Sequence, residues 1–171
     1  TIRACVESLL AQTVPVEIIV VDDRSNDATP DILREFGDSL HVIRIESCPQ
    51  GVSPKKHALH HGIAKASGEV LLFTDADCIV PPYWAERHLS TYSDTVGVCA
   101  GVVYVSEKNF WDYVMNFELL ALSVCTAGAI GMNNPMIATG NNLSYRKKAY
   151  ADTGGIEPLF SIDSGDDDLM V

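Results

Sequence analysis

Two carboxylates one residue apart, Asp75 and Asp77, follow directly on the apolar run 71–73. Carboxylates at the end of a buried strand need a cation or hydrogen-bond donors to offset their loss of water. Oxygen donors of this kind suit Mg²⁺ or Mn²⁺, and these ions in turn bind phosphate oxygens. The spacing therefore predicts a divalent-metal site, and the simpler alternative is a pair of solvated loop acids.

A second acidic pair, Asp22 and Asp23, ends the apolar run 16–21. A carboxylate there could accept a hydrogen bond from a nucleotide base or a ribose hydroxyl, as acids do in dinucleotide-binding folds. The alternative is a polar turn, which Asp, Ser and Asn form whatever the function of the protein. The cationic groups nearest to these loops could meet a phosphate or stay solvated. They are Arg24, Lys55 and Lys56.

Three consecutive acids, Asp166, Asp167 and Asp168, lie near the end of the chain. Their mutual repulsion would raise at least one pKa in an ordered site, as a general base requires. Acids also favour the N-terminus of a helix, which is the alternative interpretation.

The polar segment 139–146 offers amides, hydroxyls and a guanidinium that could line a pocket for a hydroxyl-rich ligand. The alternative is a polar turn that leads into an edge strand. The candidate contacts for an acceptor are Asn141, Asn142, Tyr145 and Arg146.

Short apolar runs, at 16–21, 41–46 and 69–74, alternate with helical patterns. The helices begin at Thr29-Pro30 and Ser53-Pro54, where a cap residue precedes proline. Continuously apolar strands between helices predict an α/β fold, a mostly parallel, Rossmann-like sheet with helices on both faces. Ligands of such sheets bind beyond the carboxyl ends of the strands, where both acidic pairs lie.

The chain opens inside a helical pattern over 2–10, so we expect the first strand of the sheet to be missing. Further on, the pattern predicts a strand over 96–105 and a helix over 110–124. The apolar stretch 119–132 favours a packed helix over a membrane-surface segment, because Glu118 precedes it and two Asn residues follow it.

The 171 residues carry 12 Lys+Arg against 23 Asp+Glu, a formal charge of −11. This balance argues against nucleic acid as a partner, because phosphate backbones are bound by clustered Lys and Arg. No run of uncharged apolar residues is long enough to require a membrane span. The five Cys residues have no zinc or disulfide spacing, which predicts free thiols and a cytoplasmic location. Three neighbouring His residues favour a helix surface over a metal site; they are His57, His60 and His61.

Taken in order, these segments resemble the family 2 glycosyltransferases, which have the GT-A nucleotide-diphospho-sugar transferase fold. The resemblance covers residues 16 to 169. It is carried by Val20-Val21-Asp22-Asp23-Arg24-Ser25-Asn26-Asp27, Lys55-Lys56-His57-Ala58-Leu59 with Gly62, Ala66-Ser67-Gly68-Glu69, Thr74-Asp75-Ala76-Asp77, Gly140-Asn141-Asn142 with Tyr145-Arg146, and Gly165-Asp166-Asp167-Asp168-Leu169.

The resemblance implies a role for each matching residue. Asp23, with Asp22 beside it, would contact the base or ribose of a uracil nucleotide, and Lys55 would lie near that nucleotide. Asp77 would bind the metal directly, and Asp75 would face the ribose or the metal. At position 60 the family's Asn is replaced by His, so nothing is carried over there. The catalytic base would be Asp167, with Asp166 as its rival.

The implied reaction moves a sugar from a UDP-sugar to a hydroxyl of a glycan, lipid or other acceptor, with Mg²⁺ or Mn²⁺ and inversion at the anomeric carbon. We interpret the chain as one catalytic domain truncated at both ends. Residues 1–95 would form the nucleotide-binding half and residues 96–171 the acceptor half. The missing first strand would leave a gap near the sheet centre, and the full-length protein could lie at the cytoplasmic face of a membrane.

Three other interpretations stay open at this point. A phospho-receiver domain also has acids after its first strand, with Asp75 as phosphoacceptor, but it lacks a second acid at Asp77. A haloacid dehalogenase also has an Asp-x-Asp motif. That motif normally lies on the first strand and continues with Gly or Thr, whereas Cys78 and Ile79 follow it here. A truncated transferase could also bind a nucleotide-sugar without turning it over.

Overall fold

The computed structural model describes residues 1–134 and 138–160. Its helices are α1 (Ile2–Leu10), α2 (Thr29–Arg34), α3 (Pro54–Lys65), α4 (Trp84–Thr91), α5 (Phe110–Gly131) and α6 (Lys147–Asp152). Its strands are β1 (Ile19–Asp23), β2 (His41–Ile45), β3 (Val70–Phe73), β4 (Val98–Ala100) and β5 (Leu143–Arg146). Short 3₁₀ turns cover Gly37–Ser39, Gly140–Asn142 and Glu157–Leu159.

Strands β1 and β2 pair in parallel, with Ile19 opposite His41. The described strands form a second sheet in the order β3-β5-β4, in which β5 runs antiparallel to both neighbours. The predicted α/β fold with helices and a parallel sheet is confirmed, but the sheet that was predicted to be mostly parallel is antiparallel in its later, described part. The reason is topological, because β5 begins at the edge where β3 ends and must run back along it.

Helices cover both faces of the sheet region, as the apolar strands predict. On one face, Val20 of β1 packs against a core that includes Val6 of α1 and Leu33 of α2. On the other face, Leu71 of β3 packs with Ile63 of α3. The alternation of side chains along each strand sends neighbouring residues into these two layers.

A cavity of about 630 Å³ separates β1 from β3 and interrupts the sheet near its centre. Among the described strands, β1 pairs only with β2 and β3 pairs only with β5, so the edges of β1 and β3 that face the cavity have no strand partner. This interruption agrees with the gap that the sequence predicts. The side chains that α1 and α3 contribute to the cavity are mainly apolar: Ile2, Cys5, Val6, Leu9, Ala58, Leu59 and Ile63.

Helix α5 differs from the packed helix that the sequence predicts. Ala129 is its one buried residue, and large apolar side chains such as Phe117 are exposed. The helix is apolar over most of its circumference, so the side turned away from the rest of the protein remains apolar. By length and composition alone, α5 is the one described helix that could cross a membrane.

Candidate functional site

Two segments meet at the carboxyl edge of β3. Thr74 to Asp77 continue from the end of that strand. Because β5 is antiparallel and Leu143 lies opposite Phe73, the turn Gly140–Asn142 emerges at the same edge. Gly140, Thr74, Asp75 and Lys55 all line the central cavity. The fold thus brings together two segments that the sequence singles out separately.

The acidic pair of this edge forms a compact cluster with a thiol. One ligand atom each from Asp75, Asp77 and Cys78 lie within 4.8 Å of one another. A tight turn causes this proximity, since the amide of Cys78 donates to the carbonyl of Asp75 at 3.1 Å. The same carbonyl lies 3.5 Å from the Sγ atom of Cys5. Burial, reinforced by Cys78 and Asp77, raises the pKa of Cys5 to about 11, so Cys5 is a neutral thiol at neutral pH.

The donor set fits a divalent cation. Mg²⁺ and Mn²⁺ are typically bound by one or two carboxylates together with water and phosphate oxygens. Cys78 adds a softer donor. Two polar atoms of this edge, Thr74 Oγ1 and Asn141 Oδ1, are buried without a hydrogen-bond partner in the described part of the chain. Buried polar atoms without partners are costly, and a bound ligand would satisfy them.

Asp22 is engaged within the protein. Its carboxylate is buried, pairs with Arg44 of β2, and accepts from the amide of Ser25 at 2.9 Å. Burial raises the pKa of Asp22, but the hydrogen bonds from Ser25 and the charge of Arg44 outweigh it, and the net pKa is lowered. Asp22 therefore orders the loop after β1, which the acidic motif by itself does not reveal.

Asp23 is the more accessible acid of the pair. Its carboxylate accepts from Arg24 Nε at 2.8 Å and from Arg24 Nη2 at 3.2 Å. Arg24 has a φ of 59°, in the left-handed region that residues other than glycine seldom adopt. This backbone turn folds the guanidinium back onto its neighbour and leaves Asp23 at the surface for a ligand.

Asn142 lies in a polar network that ties the turn to α4. Its Oδ1 accepts from Trp84 Nε1 and from His88 Nε2, both at 2.8 Å. Its Nδ2 donates to the carbonyl of Val102 at 2.8 Å. A Cβ atom at Gly101 would come within 2.3 Å of that Nδ2, so only glycine fits beside the amide. Asn142 thus holds Asn141 in place.

The other two predicted acceptor contacts also have structural partners. The buried ring of Tyr145 stacks on Phe73 and Tyr150, with centroids 4.6 Å and 5.6 Å apart. Arg146 donates to the carbonyls of Val96 and Ser93 at 3.1 Å and 3.0 Å. Of the four predicted acceptor residues, Asn141 has a buried polar atom, Oδ1, that has no hydrogen-bond partner in the described part of the chain.

The start of α3 contributes the predicted cationic residue. Lys55 is exposed on the wall of the cavity, whereas the adjacent Lys56 is fully buried. His57 follows, and burial together with the charge of His61 lowers its pKa. The predicted base residues, Asp166 and Asp167, lie outside the described residues, as does Asp168.

Sequence reasoning missed three residues of this edge. Cys78 extends the acidic cluster, Arg44 neutralises Asp22, and His88 orients Asn142. Only Cys78 had a signal, its position beside the acids. The other two reach the site from distant segments that no local pattern connects to it.

A family model described as Glycosyl transferase family 2 matches residues 1–154 of the chain. The chain is 37% identical over 100 residues to Glycosyltransferase AglE of Haloferax volcanii, and the match covers 55% of this chain and 32% of AglE. It is 39% identical over 97 residues to Putative glycosyltransferase EpsH of Bacillus subtilis, and the match covers 54% of this chain and 27% of EpsH.

Among solved structures, S. aureus TarS 1–349 in complex with UDP superposes with a TM-score of 0.56. The two sequences are 18% identical, and the superposition covers 90% of this chain and 45% of TarS 1–349. The likeness extends the GT-A fold to this chain. In each of these comparisons the chain spans less than half the length of the protein that it matches.

Proposed function

The chain belongs to glycosyl transferase family 2, and on this basis we propose that it transfers a sugar from a UDP-sugar to an acceptor hydroxyl with inversion at the anomeric carbon. The observation that carries the proposal is the cluster of Asp75 and Asp77 beside two buried polar atoms, Thr74 Oγ1 and Asn141 Oδ1, which have no hydrogen-bond partner among the described residues. A diphosphate held by a cation needs such an edge, with carboxylates for the cation and neutral polar groups for the ligand.

The donor would bind across the carboxyl edge from β1 to β3. Asp23 is the half-buried acid that could accept from the uracil or the ribose, while Asp22 keeps its loop in shape through Arg44. Lys55 stands on the cavity wall between these strands and could contact a phosphate. The UDP bound to the structural neighbour TarS supports a uracil nucleotide as the donor's leaving group.

Asp77 would hold Mg²⁺ or Mn²⁺, with Asp75 as a second ligand or as a ribose contact. When bound, such a cation offsets the charge that develops on the departing diphosphate. An acidic edge alone would repel a diphosphate, and the chain's net charge of −11 adds to that repulsion.

The chemistry needs one base, for which we propose Asp167 with Asp166 as the alternative. The carboxylate takes the proton of the acceptor hydroxyl while that oxygen forms a bond to the anomeric carbon. The bond from that carbon to the diphosphate oxygen breaks, and the electron pair leaves with the nucleotide. One displacement of this kind inverts the anomeric centre. Asn141 would contact the sugar or the acceptor from the neighbouring turn.

The acceptor would be a hydroxyl of a glycan or a lipid, and we propose that the protein works in the cytoplasm at the membrane face. The five free cysteines are consistent with a reducing compartment. The exposed apolar side of α5, which includes Phe110, Trp111 and Phe117, would be the part of the chain that contacts the membrane.

Calorimetry with UDP and Mn²⁺, followed by an assay of UDP release from UDP-sugars, tests the proposal. We expect binding that depends on Mn²⁺ and release that is lost in Asp77→Ala and in Asp167→Asn. Full activity in Asp167→Asn together with loss in Asp166→Asn would transfer the base to Asp166. Binding without any release by the wild-type chain would favour a module that binds a nucleotide-sugar without turnover.

A further inference from the structure

A pair of histidines on α3 lies close enough to share a ligand. His57 and His61 are four residues apart, so they occupy the same face of the helix. Their Nε2 atoms are 3.3 Å apart, and their rings meet edge to face with centroids at 4.6 Å. The Nδ1 atom of His57 is buried, which leaves its Nε2 as the nitrogen that meets His61.

The separation of the two nitrogens suits a tetrahedral metal. With metal–nitrogen bonds of about 2.05 Å, donors 3.3 Å apart subtend an angle of about 107° at the ion. A regular tetrahedron requires about 109°, so the spacing of the two nitrogens suits one shared cation. The side chain of His61 is exposed, so an ion can enter from solvent and keep water as its remaining ligands.

We propose that His57 and His61 form a two-histidine site for a transition-metal dication of the Zn²⁺, Ni²⁺ or Cu²⁺ class. Imidazole nitrogen suits these ions, whereas Mg²⁺ prefers oxygen donors. The site is separate from the cluster of Asp75, Asp77 and Cys78, and it does not depend on the proposed transferase activity. The alternative is a plain hydrogen bond between two neutral rings, in which one Nε2–H donates to the other Nε2.

The position of the pair gives a bound ion two consequences. It would link two successive turns of α3, the helix that begins beside Lys55 and packs on β1. It would also add positive charge near Asp23 and Arg24, both of which lie within electrostatic range of His57. Metal binding would therefore stabilise the folded protein and change the charge next to the candidate nucleotide edge.

Titration of the full chain with NiCl₂, followed by calorimetry and thermal unfolding, tests the site. The variants are His57→Gln, His61→Gln and, as the matched control on the same helix, His60→Gln. We expect each of the first two changes to weaken the Ni²⁺ affinity by about tenfold or more, and His60→Gln to leave it unchanged. At a hundredfold excess over its Kd, Ni²⁺ should raise the Tm of the wild type by about 5 °C, and MgCl₂ should give no rise that depends on these histidines.

Other thiols and acids could also bind Ni²⁺, so the same titrations are repeated in a Cys78→Ser background. Retention of the His57 and His61 dependence there supports the proposal. Equal Ni²⁺ affinity in the wild type, His57→Gln and His61→Gln would overturn it, as would an effect of His60→Gln as large as theirs. Far-UV circular dichroism of each apo variant must match the wild type, which shows that a lost affinity is not a lost helix.

Discussion

The Nε2 atom of His88 lies 2.8 Å from the Oδ1 atom of Asn142, and this contact joins α4 to the turn that carries Asn141. Because Oδ1 can only accept, the Nε2 atom of His88 must carry a proton. The Nδ1 atom lies 2.7 Å from the hydroxyl oxygen of Ser144, and that oxygen lies 2.8 Å from the hydroxyl oxygen of Tyr92. The network thus runs continuously from Tyr92 through Ser144 and His88 to Asn142.

Replacement of either member of the His88–Asn142 pair should destabilise the fold. His88→Ala or Asn142→Ala leaves buried partners unsatisfied, and each should cost about 1–3 kcal/mol of unfolding free energy. The double variant should lose less unfolding free energy than the sum of the two single losses, by about 0.5 kcal/mol or more. The reason is that the second change removes a group whose partner is already lost. Urea unfolding measures all of these values. Gln50→Ala, in an exposed turn, is the control, and strict additivity would contradict the coupling.

The ion pair of Asp22 with Arg44 predicts a dependence of stability on pH. The pKa of Asp22 is lower in the folded state than in the unfolded state, so its contribution is present above the unfolded pKa and is lost as the pH falls through the folded one. Asp22→Asn should cost about 1–3 kcal/mol at pH 7, and the difference from the wild type should shrink below about pH 4.

Urea titrations of the wild type and Asp22→Asn at several pH values measure this effect. Asp31→Asn is the matched control, because it removes an exposed ion pair with Arg34 and should leave stability unchanged. A destabilisation by Asp22→Asn that persisted undiminished at pH 3 would contradict the electrostatic explanation. The same variant should weaken UDP binding less than Asp23→Asn, since Asp22 is engaged with Arg44 and Asp23 is accessible.

The acidic edge could be predicted from the sequence because the residues that indicate it are neighbours in the chain. A buried strand that ends in acids, as at Asp23 and at Asp75, places those acids at the carboxyl edge of the sheet whatever the rest of the chain does.

The structural roles of Asn142, Arg146 and Tyr145 were not predictable, because they depend on contacts between distant segments. Trp84 and His88 reach Asn142 across 58 and 54 residues of sequence, and the carbonyls that hold Arg146 are 50 and 53 residues away. The prediction that α5 is packed was wrong, because an apolar segment has the same composition whether it is packed in a core or exposed.

The cluster of Asp75, Asp77 and Cys78 predicts a choice between metals. Asp77→Asn should weaken Mn²⁺ binding by about tenfold or more, because a charged oxygen ligand is lost. Cys78→Ser should leave Mn²⁺ binding nearly unchanged and weaken Cd²⁺ or Zn²⁺ binding, because those ions favour the thiolate that serine cannot supply. Electron paramagnetic resonance of free Mn²⁺ gives the first affinity, and competition by Cd²⁺ gives the second.

Cys5→Ser serves as the control for this experiment. Its thiol contacts the carbonyl of Asp75 but has a raised pKa, so it should not compete as a thiolate ligand. If Cys78→Ser weakened Mn²⁺ binding as strongly as Asp77→Asn, the thiol would be a primary ligand of the hard cation. The oxygen-based assignment of the site would then be wrong.

The exposed side of α5 predicts binding to a neutral lipid surface. Phe117 and Trp111 are 75% and 71% exposed, and burying such rings in the interfacial region of a bilayer removes apolar surface from water. The chain's charge of −11 opposes anionic lipids, so zwitterionic phosphatidylcholine vesicles are the appropriate probe.

We expect the wild type to co-sediment with these vesicles and Phe117→Glu to reduce its partition by about tenfold or more. Leu10→Glu, at an exposed position on α1, should have no effect, and equal losses in both variants would show that α5 is not the contact. A wild-type chain that stays in the supernatant and dimerises through α5 would assign this face to a second copy of the protein.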